Sequence, residues 1–186
     1  GGGSSSGVSG VSGVSGGGGG GGGSGLSPLL RRLRSEVNRL SSAGPHATPS
    51  APPALILKVG PHLGAEEVEA VVREARAGLV DGVMVANASL RRPSSLRFPA
   101  ASAAAEAGGL TGPPLRDDAT ALLRQLYRGL KGTSVQLVGL GGVSTGADAY
   151  ARIRSGASAV QLYTAFAYDG LSLLPEIKRE LADLLE

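Results

Sequence analysis

The amino-acid sequence predicts an α/β fold built on a parallel sheet. Two observations carry this. Four short apolar runs have the length and composition of buried strands, and each is followed by a segment whose apolar residues recur at helical spacing. Continuous rather than alternating apolar strands point to a sheet covered by helices, with right-handed crossovers as the default. Two architectures fit this order: an open doubly wound sheet, and part of a (β/α) barrel. Four units are half of a barrel's eight, and a complete barrel takes roughly 250 residues, against the 186 here.

Gly1–Gly25 comes first along the chain. Fifteen of these 25 residues are glycine, Val-Ser-Gly repeats, and Gly16–Gly23 is an unbroken glycine run. Such a segment has little to bury and loses much backbone freedom on ordering, so residues 1–25 read as a flexible tail and 26–186 as one folded domain. Leu29, Leu30, Leu33, Val37 and Leu40 then mark an amphipathic helix. Ser41–Pro53 is a Pro/Ser/Ala connection. Ala54–Val59 (ALILKV) is the first strand. The helix after it spans Ala65–Ala77, with Val68, Val71 and Val72 on its apolar side and Gly78 as its stop. Gly82–Asn87 (GVMVAN) is the second strand. A long loop, Ala88–Arg116, leads to Asp117 as the N-cap of a helix over Asp118–Leu130. Val135–Leu140 is the third strand and Gly146–Ser155 its helix. Ala159–Leu162 is the fourth strand, and Leu173–Leu185 the closing helix, with Leu174, Ile177, Leu181 and Leu184 on one face.

Composition narrows the chemistry. There is no cysteine, which excludes disulfides and thiolate metal sites. His46, in the Pro/Ser/Ala connection, and His62, in a loop, form no i, i+4 pair and have no carboxylate at ligand spacing, which argues against a metal centre. No Gly-x-Ser-x-Gly elbow occurs. The net charge is +3, and basic residues interleave with acidic ones; Arg31, Arg32 and Arg34 read as a solvated helix face rather than a nucleic-acid patch. No run reaches the roughly 18 apolar residues of a membrane span. The N-terminus carries neither a secretory nor a transit-peptide pattern.

Parallel α/β proteins hold ligands at the carboxyl ends of their strands. Lys58, near the end of the first strand, is either a surface lysine or an ammonium placed to stabilise developing negative charge. Asn87 ends the second strand; its amide suits reading a planar ligand with both edges, or capping a turn. Gly139-Leu140-Gly141-Gly142 ends the third strand, and Tyr163-Thr164 ends the fourth. Backbone N–H groups from these last two junctions suit one shared anion. Complete barrels commonly place a phosphate between the loops after strands seven and eight.

Five stretches occur in a telling order: LILKVGPHL, DGVMVAN, GGLTGPPLR, LVGLGGVSTGADAYARIRSGASAVQLYTAF and IKRELADLL. Their order and spacing resemble the C-terminal half of class 2 dihydroorotate dehydrogenases, the membrane-associated, quinone-using type. The resemblance covers Ala54–Glu186 and extends back to the Leu26–Leu40 helix, which looks like the barrel's fourth. It implies the C-terminal half of a (β/α)8 TIM barrel holding FMN at its strand ends. It also implies oxidation of dihydroorotate to orotate in pyrimidine synthesis, with electrons passed to ubiquinone. By the same resemblance Lys58 contacts the flavin ring, Gly112 is a flavin-contacting loop glycine, and Gly142 contacts the phosphate. Tyr163 and Thr164 hold that phosphate by their backbone amides, and Asn87 hydrogen-bonds orotate.

Two departures qualify what is implied. Where the family has TNT, this chain has Ala86-Asn87-Ala88. The flavin contact at Ala86 and the substrate contact at Ala88 therefore lose their hydroxyls. Losing a hydrogen bond to a charged partner costs about 1.5–3 kcal/mol, which predicts weaker binding rather than none. The family's catalytic serine lies in an N-x-S-S-P-N-like loop after strand four, and no such loop occurs here; Ser24 and Ser27 lack the motif, so no catalytic residue is assigned. The quinone entrance and membrane contact belong, by the resemblance, to N-terminal segments not found in this sequence. In a eukaryote the implied location is the mitochondrial inner membrane. Half a barrel leaves two strand edges and an interior of Leu and Val side chains open, which implies self-association through those edges or a complementary half.

Overall fold

The computed structural model describes residues 25–42, 52–94, 96 and 106–186. The expected tail up to Ser24 and most of the Ser41–Pro53 connection, His46 included, lie outside the described residues. Four parallel strands form one sheet: β1 (Ile56–Val59), β2 (Gly82–Val85), β3 (Gln136–Gly139) and β4 (Ala159–Val160). They pair in chain order, β1-β2-β3-β4, so β1 and β4 are its edges. Each strand is two residues shorter than the apolar run that predicted it. In β2 and β4 the trimmed residues, Ala86-Asn87 and Gln161-Leu162, line a cavity at the strand ends, while the N–H groups of Ala86, Asn87 and Gln161 still donate to Leu140 O, Val59 O and Gly139 O.

Among the described residues six helices accompany the sheet: α1 (Leu26–Ser42), α2 (Ala65–Arg76), α3 (Arg116–Leu130), α4 (Gly146–Arg154), α5 (Thr164–Asp169) and α6 (Leu173–Asp183). The stop after α2 is as expected, with Gly78 at φ 77° just past the C-cap Ala77. The start of α3 differs. A 3-10 turn, Pro113–Leu115, runs directly into the helix at Arg116, so Asp117 is not its N-cap. Asp117 and Asp118 sit instead in the first turn, where carboxylates complement the helix dipole. α5 was not anticipated, because six residues are too few to show a helical period. α4 starts on a capping box: Thr145 Oγ1 accepts from Asp148 N at 3.1 Å, and the Asp148 carboxylate accepts from Thr145 N at 3.1 Å.

The register explains which sheet face is covered. Ile56, Lys58, Gly82, Met84, Gln136, Val138 and Ala159 fall on one face, and Leu57, Val59, Val83, Val85, Leu137 and Gly139 on the other. The second set packs beneath α2 and α3, and Val83, Val85, Leu123 and Leu126 have no exposed surface. On the first face Ile56, Gln136 and Ala159 are exposed, and Lys58, Met84 and Val138 are half-buried. The open face therefore mixes the apolar Ile56, Met84 and Val138 with Lys58, Gln136 and small residues, rather than the expected Leu and Val alone. A second cluster, Val143, Ala149, Leu173 and Ile177, joins α4 to α6 beside β4.

Two predicted helix faces are corrected. Among the described residues of the α1 stripe only Leu30 is fully buried, and Leu29 and Leu40 are exposed, because α1 packs mainly against α2. In α6 the inward row is Leu173, Ile177 and Leu181, while Leu174 and Leu184 are exposed. Arg34 is not on a solvated face either. Its guanidinium donates to Asp81 at 2.8 Å, and the same carboxylate accepts Leu55 N at 2.6 Å, tying α1 to the entry ends of β1 and β2. No described helix is long and apolar enough to cross a membrane.

Candidate functional site

The strands end on a cavity of about 310 Å3, at the lower end of the range for small-molecule pockets. Lys58, Ala86, Asn87, Ala88, Gly112, Gly142, Tyr163 and Thr164 all line it. Those eight positions come from all four strand ends and from the loop before α3, so residues up to about a hundred positions apart in sequence meet at one place. Leu115, Leu140, Val143 and Leu162 supply apolar wall. Among the described residues no group of three His, Asp or Glu side chains is placed to hold a metal ion.

One end of the cavity is made of backbone. The N–H groups of Gly141, Gly142, Val143, Tyr163 and Thr164 line it and meet no protein acceptor among the described residues. Buried backbone donors are normally paired; Gly142 and Val143 are buried and unpaired, and with the more open N–H groups of Gly141, Tyr163 and Thr164 they leave donors for an anion on two adjacent junctions. Gly142 is at φ 73°, and a Cβ there would lie 2.9 Å from the N, Cα and Cβ of Arg116. Gly112 is at φ 83°, and its Cβ would meet Thr164 Cγ2 at 3.1 Å. Glycine at these two positions lets the loop before α3 close onto both junctions. Thr164 Oγ1 donates to Thr111 Oγ1 at 3.0 Å across the same gap.

The carbonyl side of the glycine junction is fully engaged. Arg116 Nε donates to Gly142 O at 3.1 Å and its Nη2 to Ser144 Oγ at 3.2 Å, while Arg116 also pairs with Asp148 at 2.8 Å. Arg152 donates to Gly141 O and to Thr120 Oγ1. The Asp148 carboxylate accepts from Ser144 N at 3.0 Å and Ser144 Oγ at 3.1 Å.

At the other end, Asn87 shows a mixed role. Its Oδ1 accepts from Ala88 N at 2.9 Å, a bond to the next residue rather than the two-residue reach of an Asx turn, and the amide NH2 and the second Oδ1 lone pair remain for a ligand. Behind it, His62 Nε2 lies 2.7 Å from Ser89 Oγ, and His62 Nδ1 lies 3.5 Å from Asp118. Ser89 also accepts from Arg91 N at 2.9 Å, and it pairs with Leu110 in a short antiparallel bridge. Ser89 is buried but the Asp118 side chain is 55% exposed, and none of the three residues lines the cavity, so this Ser-His-Asp chain braces the Asn87 loop from outside it. Burial holds the His62 imidazole below its ordinary pKa, Arg91 adds to that, and Asp118 opposes it.

Sequence reasoning missed Thr111, Arg116 and Arg152. Arg152 left one signal: in α4 it stands three residues after Ala149 and six after Gly146, a cation in register with the buried row.

Four parallel strands alternating with helices and ending on one cavity define a parallel α/β protein with its candidate site at the carboxyl ends of the strands. Residues 25–185 match the family model described as dihydroorotate dehydrogenase, and the chain belongs to that family. The Oryza sativa subsp. japonica protein named dihydroorotate dehydrogenase (quinone), mitochondrial, is 48% identical over 136 residues, covering 73% of this chain and 28% of that protein. The Rhodospirillum rubrum protein named dihydroorotate dehydrogenase (quinone) is 42% identical over 149 residues, covering 80% of this chain and 40% of that one. The crystal structure of DHODH in complex with ferulenol from Eimeria tenella superposes with a TM-score of 0.75 at 34% identity, over 86% of this chain and 44% of that one. The chain thus spans less than half the length of these relatives. They place it in the quinone-dependent class, and its sheet corresponds to part of that barrel, as the motifs implied.

Proposed function

We propose that residues 26–186 form the FMN-holding part of a quinone-dependent dihydroorotate dehydrogenase, with residues 1–25 a tail outside the domain. On this reading the whole protein oxidises dihydroorotate to orotate in pyrimidine synthesis and uses ubiquinone as electron acceptor. In a eukaryote it works at the mitochondrial inner membrane. The observation that supports the reading is the convergence of Lys58, Asn87, Gly112, Gly142, Tyr163 and Thr164 on one cavity with free backbone donors at one end.

These residues fit the cofactor. The N–H groups of Gly141–Val143 and Tyr163–Thr164 receive a phosphate, and Lys58 brings a cation to the same cavity. When bound, FMN supplies a hydride acceptor for dihydroorotate and an electron source for the quinone. The Lys58 ammonium favours negative charge on the ring it touches. The Asn87 NH2 donates to the substrate. Ala86 and Ala88 offer methyl groups where hydroxyls would add hydrogen bonds, which weakens both contacts. No N-x-S-S-P-N-like loop occurs in the sequence, so the acceptor of the substrate's C5 proton comes from outside these 186 residues.

The test is a flavin titration of the purified chain followed by dihydroorotate. FMN fluorescence quenches on binding, and added dihydroorotate leaves the flavin absorbance unbleached. Absence of any FMN binding overturns the reading.

A further inference from the structure

The glycine junction has a feature the family reading does not use. Arg152 is 1% exposed, and no carboxylate is among its hydrogen-bond partners. Its Nη1 donates to Thr120 Oγ1, its Nη2 to the Gly141 carbonyl, and its Nε has no partner. Room for its stem comes from β3: a Cβ on Gly139 would lie 3.0 Å from Arg152 Cβ and 3.1 Å from its Cδ. Burial pulls the guanidinium below the usual arginine range, Asp148 opposes this, and Arg116 adds to it. It remains charged, since arginine does not deprotonate in proteins. A buried cation without an ion-pair partner is costly.

Peptide planarity connects it to the cavity. In a trans peptide the C=O of one residue and the N–H of the next point in opposite directions. Arg152 holds the Gly141 carbonyl, so the Gly142 N–H is directed away from Arg152; Gly142 lines the cavity and its N–H has no protein acceptor. A charged donor on the carbonyl also polarises that peptide and strengthens its N–H as a donor.

We propose that Arg152 is a positioning residue that makes the site selective for a phosphorylated over an unphosphorylated flavin. It aims and polarises the Gly142 N–H from behind and places a buried positive charge, with no carboxylate hydrogen-bonded to it, under the anion. The proposal rests on the FMN reading above, and the experiment separates the two.

The 186-residue chain is titrated with FMN and with riboflavin, followed by flavin fluorescence. The wild type binds FMN more tightly than riboflavin. Arg152→Met keeps the stem and removes the cation, so FMN affinity falls about tenfold or more while riboflavin affinity is unchanged, the size expected for one charged hydrogen bond. Arg152→Lys keeps the charge but not the fork, and lowers the FMN-to-riboflavin ratio about threefold. Thermal unfolding by circular dichroism checks each variant, and if Arg152→Met does not unfold cooperatively, Arg152→Lys decides. An unchanged ratio, or equal loss for both flavins, in the deciding variant overturns the positioning role. A wild type that binds neither flavin, or both equally, overturns the FMN reading and this proposal with it.

Discussion

Gly142 carries two demands at once. Its φ of 73° suits glycine, and the space a Cβ needs is taken by three Arg116 atoms at 2.9 Å. Gly142→Ala is therefore expected to destabilise the fold by about 1–3 kcal/mol, the usual cost of a strained backbone site, and to weaken FMN binding. Denaturant unfolding and flavin titration measure the two effects. His62 makes a different prediction. Burial and Arg91 favour its neutral form in the folded chain, while the unfolded imidazole titrates near about 6.5. As pH falls through that value the unfolded chain takes up the proton first, so stability drops below about pH 6.5 and is intact above it. Unfolding at pH 7.5 and 5.5 tests this: the wild type loses more stability on acidification than His62→Gln, and equal losses refute the assignment. At this scale Lys58, Asn87, Gly142, Tyr163 and Thr164 were legible because they stand at or beside the ends of apolar runs, which needs no tertiary information, whereas Ala86, Ala88 and Gly112 were marked only by the family resemblance. Arg116 and Arg152 were not, since each acts on a carbonyl from a helix 26 and 11 residues away in sequence.

Elements show why some structure was readable and some was not. α2, α3 and α4 bury rows long enough to register as a period, and their positions match expectation to within two residues. α5 has six residues and none is buried, so no apolar pattern marked it. The Asp117 cap failed because Pro113 starts a 3-10 turn that merges into α3, a backbone event that cap residues alone do not reveal. α3 is the central packing element. Leu123 has no exposed surface and sits in the main core, so Leu123→Ala should cost about 2–5 kcal/mol, read by denaturant midpoint. The entry-end clamp is weaker. Burial alone would raise the Asp81 pKa, but the Leu55 N–H and Arg34 outweigh it and hold the carboxyl low. Asp81 is half exposed, so solvent screening keeps the loss in Asp81→Ala to about 0.5–1 kcal/mol. That loss is present at neutral pH and disappears as pH falls through the carboxyl's lowered range.

At the scale of the molecule the sheet is finished on one side only. β1 and β4 are edges, and the face bearing Ile56, Lys58, Met84, Gln136 and Val138 is partly open, with Ile56 45% exposed. The relatives are more than twice as long as the segment they share with this chain, so they have further chain for that face. For the 186 residues on their own, another copy can serve. Two sheets of four parallel strands, each pairing its β4 with the other's β1, reach the eight strands at which a (β/α) barrel closes. Unpaired edges also favour such pairing by leaving backbone donors and acceptors unsatisfied. The chain is therefore expected to self-associate at micromolar concentration, with size-exclusion chromatography and light scattering giving twice the monomer mass. Ile56→Lys places a charge on the open face and does not touch the helix-covered core, so it should shift the mass toward monomer while leaving the circular dichroism spectrum unchanged. A wild type that runs as a stable monomer refutes this. So does an Ile56→Lys variant that associates as strongly as the wild type, because the contact would then lie on a surface other than the open face.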